Sequence, residues 1–250
     1  MNQPSSQAIR RFLSIYATSA KAHREIQKLI RSGHTPSSPE IQSIQMRWAK
    51  DAVGLVGGQL TVRGETPLQD PCLVVANHMG YVDIPVLMAL YPFAYVAKKA
   101  VSHWPVFGAG AASVGTVFVD RSSTQSRHEV ALAIGDSIKN RKKGVILFPE
   151  GTSSVRGKAW KKGAFHIANK MGLRVQPVRI VYTPARKIAY VERDVFVPHL
   201  LRLLKLGSFE VDVEVGPVTQ ILDVEADRSR LEAWVQGGVR EALERQGVRD

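Results

Sequence analysis

Apolar positions recur with a helical period at the start of the chain. Ile9, Phe12, Leu13 and Tyr16 follow the i, i+3, i+4, i+7 rule, and Ile26, Leu29 and Ile30 resume it. This predicts one amphipathic helix from about Ser6 to Arg31, with Arg10, Arg11, Lys21, Arg24, Lys28 and Arg31 along its remaining faces. Gly33 to Ser38 is a polar turn containing Pro36. Ser38-Pro39-Glu40 then reads as an N-cap with proline at the first helical position. Ile41, Ile44, Trp48 and Leu55 space a second helix, which Gly57-Gly58 would stop.

From Gln59 the pattern changes to short apolar runs alternating with helical stretches. Strands are predicted at Leu60–Arg63, Leu73–Ala76, Ala94–Ala97, Thr116–Val119, Val145–Phe148, Val175–Tyr182, Ile188–Glu192 and Phe209–Val215. Helices are predicted at Val82–Leu90, Ser126–Lys139, Ala164–Met171 and Arg228–Arg245. Continuous apolar strands separated by helices imply burial on both faces. The expected fold is therefore α/β, a mostly parallel mixed sheet flanked by helices and preceded by an N-terminal helical pair. The expected division is 1–58 for the helical pair and 59–250 for the α/β domain. Pro177 inside Val175–Ile180 predicts an edge strand or a bulge.

Composition narrows the class. With 44% hydrophobic and 22% charged residues in 250, a sizeable core can be buried and wholesale disorder is excluded. Cys72 is the single cysteine, which excludes a disulfide scaffold and a thiolate zinc site and implies a reducing compartment. No window is a transmembrane helix: the longest apolar run, Ile84 to Ala97, is broken by Pro85 and Pro92. The stretch after Arg10-Arg11 is too short and too polar for a cleaved leader.

The net charge of +12 points to an anionic partner, be it nucleic acid, a membrane surface or a phosphorylated ligand. It is unevenly placed. Residues 151–190 hold nine basic residues and no acidic one. No nucleic-acid-binding motif is present, and core-like strands interrupt the basic segment, so nucleic acid is not an expected partner. The first helix could lie on a lipid surface, its basic side chains meeting phosphates while apolar ones enter the acyl boundary.

Chemistry gathers where apolar strands end, which is where α/β folds carry their sites. After Val74-Val75-Ala76 come Asn77, His78, Gly80 and Asp83. On one continuous helix His78 and Asp83 would stand ~140° apart. With His78 in a loop, Asp83 in the first turn of the next helix and Gly80 letting the chain curl, the carboxylate can reach a ring nitrogen. An Asp that fixes the tautomer and stabilises the imidazolium is what a general-base His requires. A second segment, Gly115 to Arg121, ends in Asp120-Arg121, where Arg121 could fork onto a phosphate. A third, Val145 to Ser154, ends in Phe148-Pro149-Glu150-Gly151-Thr152-Ser153-Ser154. The fourth is Val175-Gln176-Pro177-Val178.

Other chemistries fail on spacing. Gly151 to Gly157-Lys158-Ala159 has one residue too many for a P-loop and lacks its Ser or Thr. His128-Glu129 has no second His at Leu132, and no Gly-x-Ser-x-Gly elbow exists. Cys72 precedes an apolar strand and reads as core.

In this order the four segments resemble the lysophospholipid acyltransferase family, of the 1-acylglycerol-3-phosphate acyltransferase type. Asn77, His78 and Asp83 match its Asn-His-x4-Asp motif, and Gly115, Phe118, Asp120 and Arg121 match Gly-x-x-Phe-x-Asp-Arg. Phe148 to Thr152 match Phe-Pro-Glu-Gly-Thr, and Val175, Pro177 and Val178 match its proline-bearing strand. The resemblance spans about residues 45 to 220. It implies an O-acyltransferase on the cytoplasmic face of a membrane, peripheral, with acyl-CoA or acyl-carrier protein as donor substrate and a lysolipid as acceptor. No metal or other cofactor is implied.

The resemblance makes His78 the base and Asp83 its orienting group. Asn77, Arg121, Glu150, Gly151, Thr152, Arg156 and Lys158 are the expected substrate-binding residues. Backbone N–H groups around Gly151 are the expected oxyanion donors. A thioester needs no enzyme nucleophile, so a hydrolase using the same pair on water is the other reading within reach. Ser153 departs from the pattern. Phosphatidate-forming members usually carry Arg there, so Ser153 leaves the acceptor open: a lysophospholipid such as 1-acylglycerol-3-phosphate is the expected one, and another lysolipid such as lyso-ornithine lipid is the alternative. With no spanning helix expected, attachment would fall to the N-terminal helices and to exposed apolar side chains such as Trp160 or Phe165.

Overall fold

In the computed structural model, which describes residues 6–103, 107–119, 124–191 and 194–248, the chain opens with the expected helical pair. It comprises α1 (Ser6–Arg31) and α2 (Pro39–Val56), the latter closed by Gly57 in the left-handed region. There follow β1 (Gly58–Gly64), β2 (Leu73–Ala76), α3 (Asp83–Met88), β3 (Ala94–Lys98), a 3-10 turn at Lys99–His103, α4 (Phe107–Ser113) and β4 (Val117–Val119). Next come α5 (Thr124–Gly135), extended by a wider turn at Asp136–Asn140, then β5 (Val145–Leu147), α6 (Gly163–Met171) and β6 (Arg174–Thr183). The chain ends with α7 (Ala185–Ile188), α8 (Phe196–Lys205), β7 (Phe209–Val215), β8 (Thr219–Gln220) and α9 (Val224–Arg245).

The sheet order is β1-β7-β6-β2-β5-β3-β4, with β8 beside β6. Every pairing is parallel except β6 with β7 and with β8. The mixed, mostly parallel α/β sheet is thus as expected. β2 lies between β5 and β6, fully buried along its length. Its register with β5 (Val75 opposite Leu147) brings the loops after the two strands out side by side. β6 runs on past Val178, which is opposite Ala76, so its last residues flank the loop that follows β2. These two facts position the site.

Three expectations are corrected. Pro177 lies inside a central strand and not at an edge. It occupies the place where the antiparallel partner of β6 changes, β8 pairing up to Val175 and β7 from Val178 onward, so the missing N–H interrupts no ladder. The segment from Ile188 forms no strand. Ile188 ends α7, and the residues after it run beside the loop after β2, with Tyr190 N–H donating to Met79 O at 2.8 Å; Glu192 lies outside the described residues. Trp160 and Phe165 are buried, 3% and 0% exposed, and stack on each other. Three helices, α4, α7 and α8, were not expected.

The helical pair packs on the α/β body. Ala8 and Ile15 of α1 and Ala49, Val53 and Val56 of α2 share one core with β2, β6 and β7. Lys143, from the turn before β5, is 2% exposed and donates to Pro36 O and Gln45 Oε1, both at 2.7 Å. Burial pushes its ammonium down to about 7. The outer face of α1 is apolar as well: Ile9, Leu13 and Tyr16 are 43%, 59% and 47% exposed.

Candidate active site

The loop after β2 carries His78, and α3 begins at Asp83. Asp83 is fully buried, and its Oδ2 gathers that loop around itself. It accepts from His78 Nδ1 at 2.7 Å, from Met79 N–H at 2.7 Å and from Gly80 N–H at 3.0 Å. A carboxylate with several fixed donors is held in one rotamer, and so is the ring it bonds. Nδ1–H then points at Asp83, and the lone pair of Nε2 is the one presented outward. The imidazole is partly open, with a side-chain exposure of 21%. Gly80 is needed for close approach, since a Cβ there would meet the backbone N and the Cβ of Tyr190 at 3.0 Å.

The ring is clamped from the neighbouring strand. Phe148, just past β5, stacks on His78 with centroids 4.1 Å apart and planes 13° apart. Glu150 is 3% exposed and ties two loops together. Its Oε1 accepts from His78 N–H at 3.2 Å, and its Oε2 accepts from Ser154 Oγ at 2.9 Å and Lys158 N–H at 3.1 Å. Ser154 N–H returns a bond to His78 O at 2.8 Å. Burial raises the Glu150 carboxyl to about 7 against the pull of these donors.

The sequence-predicted residues divide on this geometry. His78 and Asp83 meet as expected. Glu150 binds protein groups beneath the His78 loop through both of its carboxylate oxygens. Asn77 is also engaged elsewhere. It is 2% exposed, its Nδ2 donates to Ile180 O at 2.9 Å and its Oδ1 accepts from Ile180 N–H at 2.8 Å, which fastens β2 to β6. Gly151 has φ +76°, and its N–H, an expected oxyanion donor, is bonded to Phe148 O at 3.0 Å. Thr152 is half-buried in the same turn. Ser153 Oγ donates to Tyr190 O at 2.5 Å. Arg156 is half-buried and donates to Val248 O at 3.3 Å, while Lys158 is exposed. Arg121 and Asp120 lie outside the described residues.

Two groups escaped the sequence reading. Tyr182, near the end of β6, donates to Asp83 Oδ1 at 2.6 Å. It is fully buried, and desolvation together with the adjacent carboxylate holds its phenol protonated well above the usual range. Phe148 stands out in the sequence only as part of the Phe-Pro-Glu-Gly-Thr segment. A strand-end tyrosine on the parallel neighbour of β2 was the available signal for Tyr182.

The basic run is also less available than its composition suggested. Lys162 pairs with Glu225, Arg174 with Asp70, and Arg179 with Glu214 while lying over the Trp234 ring. Acids absent from residues 151–190 are supplied by other elements.

Beside the His78 loop an apolar cavity of about 220 Å³ lies between the helical pair and α3, β3, α4 and α8. Val82, Tyr95, Ile15, Trp48, Val114 and Leu200 are among its walls. Among the described residues no His, Cys, Asp and Glu side chains cluster to hold a metal ion, and no helix is long and apolar enough to cross a membrane. Cys72 is buried, with its thiol pushed up to about 12, as a core residue would be.

Residues 59–181 match the family described as Acyltransferase. The chain is 33% identical over 215 residues to a lyso-ornithine lipid O-acyltransferase of Rhizobium meliloti, covering 78% of this chain and 73% of the relative. It is 32% identical over 215 residues to the protein of the same name in Pseudomonas aeruginosa, covering 82% and 80%. A 1-acyl-sn-glycerol-3-phosphate acyltransferase of Neisseria gonorrhoeae is 30% identical over 174 residues, covering 67% and 68%. The crystal structure of the 1-acyl-sn-glycerophosphate acyltransferase of Thermotoga maritima superposes with a TM-score of 0.68 at 22% identity, over 94% of this chain and 97% of that one, which shows a shared fold.

Proposed function

The chain belongs to the acyltransferase family, among the lysophospholipid type, and from that premise we propose how its site works and on what. A fatty acyl group passes from a thioester, of CoA or acyl-carrier protein, to the free hydroxyl of a lysolipid. His78 Nε2 takes the hydroxyl proton as that oxygen attacks the thioester carbonyl. Asp83 stabilises the imidazolium that results. Collapse of the tetrahedral intermediate breaks the C–S bond, and the imidazolium returns the proton to the leaving sulfur. The observation that carries this reading is the His78–Asp83 bond of 2.7 Å at the edge of an apolar cavity to which Val82 and Tyr95 both contribute. An apolar recess beside an oriented base suits an acyl substrate.

For the acceptor we favour lyso-ornithine lipid over 1-acylglycerol-3-phosphate. Ser153 supplies no cation and its hydroxyl is occupied by Tyr190 O. Arg121, Thr152, Arg156 and Lys158 are the substrate contacts we retain. The helical pair, residues 1–58, is the membrane-association segment and 59–250 the catalytic domain, held on the cytoplasmic face. The exposed Ile9, Leu13 and Tyr16 beside Arg10 support surface attachment.

Purified protein with acyl-CoA or acyl-carrier protein, offered each lysolipid in turn, should yield diacylated lipid, fastest with lyso-ornithine lipid. Free fatty acid with no acylated lipid would make the protein a hydrolase.

A further inference from the structure

A second recess lies at the same edge of the sheet as His78. Its volume is about 400 Å³, and its walls include Val155, Arg186, Lys187, Val191, Asp194 and Arg202. Val155 belongs to the loop after β5, and Arg186 and Lys187 belong to α7, which follows β6. Both strands run parallel to β2, so the three connections leave the sheet at one end, where α/β folds place their ligands. Two of the walls are tied to the catalytic loop. Ser154, beside Val155, donates its N–H to His78 O at 2.8 Å. Tyr190, beside Val191, donates its N–H to Met79 O at 2.8 Å.

The charges on these walls do not balance. Among the described residues Asp194 is the only acid there. It is already engaged, accepting from Arg202 at 2.7 Å and from Val191 N–H at 3.0 Å. Arg186 and Lys187 are exposed and form no ion pair among the described residues, unlike Lys162, Arg174 and Arg179 of the same basic run. The short helix that carries them is fixed. Ala185 and Ile188, on either side, are buried, and Ala185 N–H donates to Gln246 Oε1 at 2.9 Å. Two uncompensated cations on an anchored backbone suit an anion. The volume is that of a small-molecule site rather than of a lone ion.

An acyl donor brings such an anion. In acyl-CoA and in acyl-carrier protein alike, the thioester sulfur ends a pantetheine arm whose other end is a phosphate ester. Lyso-ornithine lipid, the acceptor favoured above, has no phosphate. We propose that this recess is a phosphate site, in which Arg186 and Lys187 hold the phosphate of the donor's phosphopantetheine arm. This rests on the acyl-transfer reading above.

The test compares S-acyl phosphopantetheine with S-acyl pantetheine, donors that differ only in the phosphate. Each is offered to the full chain and to the double variant Arg186→Gln, Lys187→Gln, whose fold is checked by circular dichroism. The wild type should show about a tenfold lower KM for the phosphorylated donor. In the variant the two KM values should be nearly equal, with kcat unchanged. Equal values in the wild type, or a difference that survives in the variant, overturns the proposal. A variant whose KM rises for 1-acylglycerol-3-phosphate and not for the donor overturns it too, and makes the recess an acceptor site. Loss of binding to vesicles of anionic phospholipid with both KM values unchanged overturns it in favour of a membrane contact. Calorimetric titration separates all this from failure of the acyl-transfer reading. Phosphopantetheine should bind the wild type about tenfold more tightly than pantetheine and lose that advantage in the variant and in high salt. That result upholds the site even without turnover, and equal affinity for the two sinks it.

Discussion

Tyr182 donates to Asp83 Oδ1 over 2.6 Å while His78 occupies the other oxygen of the same carboxylate. The group that orients the base is thus itself held by a phenol from the neighbouring strand. Tyr182→Phe keeps the ring and removes the bond. It should lower stability by about 1–2 kcal/mol and reduce kcat several-fold, with KM for the acyl donor unchanged. An unchanged kcat together with a full loss of stability would confine Tyr182 to packing.

His78→Ala should reduce acyl transfer about 10³-fold. Asp83→Asn should approach that loss, because a neutral amide in place of the carboxylate brings no charge to stabilise the imidazolium. Full activity in His78→Ala, measured as diacylated product, would remove the general-base assignment.

Glu150 carries a pH signature. Burial raises its carboxyl from the ordinary 4.5 to about 7. Between those values the folded protein keeps a proton that the unfolded chain has released. The contribution of this group to stability is therefore whole below pH 4.5 and is lost as pH rises through 7. Glu150→Gln has no such dependence. The stability of the wild type relative to the variant should fall by up to about 3 kcal/mol between pH 4.5 and 8. Urea unfolding at the two pH values measures it, and a pH-independent difference would mean the carboxyl titrates normally.

How far the sequence could be read depended on separation along the chain. β2 and β7 were legible to the residue, the first as an unbroken apolar run and the second as the alternation Phe209-Glu210-Val211-Asp212-Val213-Glu214-Val215. His78 with Asp83 was legible because five residues and a strand-loop-helix setting confine them. Tyr182 stands 99 residues from Asp83, and no local pattern says that β6 overruns β2. α8 escaped because Pro198 sits in its first turn, where proline is tolerated but reads as a break. The basic run misled because its ion-pair partners are distant in sequence.

Ser153→Arg should shift acceptor preference toward 1-acylglycerol-3-phosphate by about tenfold, since a guanidinium supplies the bidentate phosphate contact that a hydroxyl cannot. The ratio of initial rates on the two lysolipids reports it. A drop on both without a change in ratio would show that the Ser153–Tyr190 bond matters for folding rather than for choice of acceptor.

Ile9→Asp with Leu13→Asp places two charges on the outer face of α1 while leaving Ala8 and Ile15 buried. Partitioning onto anionic liposomes should fall at least tenfold with little change in melting temperature. Unaltered partitioning would move the lipid-facing surface elsewhere.

Arg11 of α1 bonds Leu204 O and Gly207 O, and β1 pairs with β7. The first helix and the first strand thus wait for partners made much later in the chain. About 145 residues separate the end of β1 from the start of β7, which at roughly 5–20 residues per second is on the order of 7–30 s of synthesis. Throughout that interval α2 can cover one side of α1, while the side that meets α8 stays uncovered. The seam of α1 with α8 and of β1 with β7 is therefore among the last parts of the fold to close.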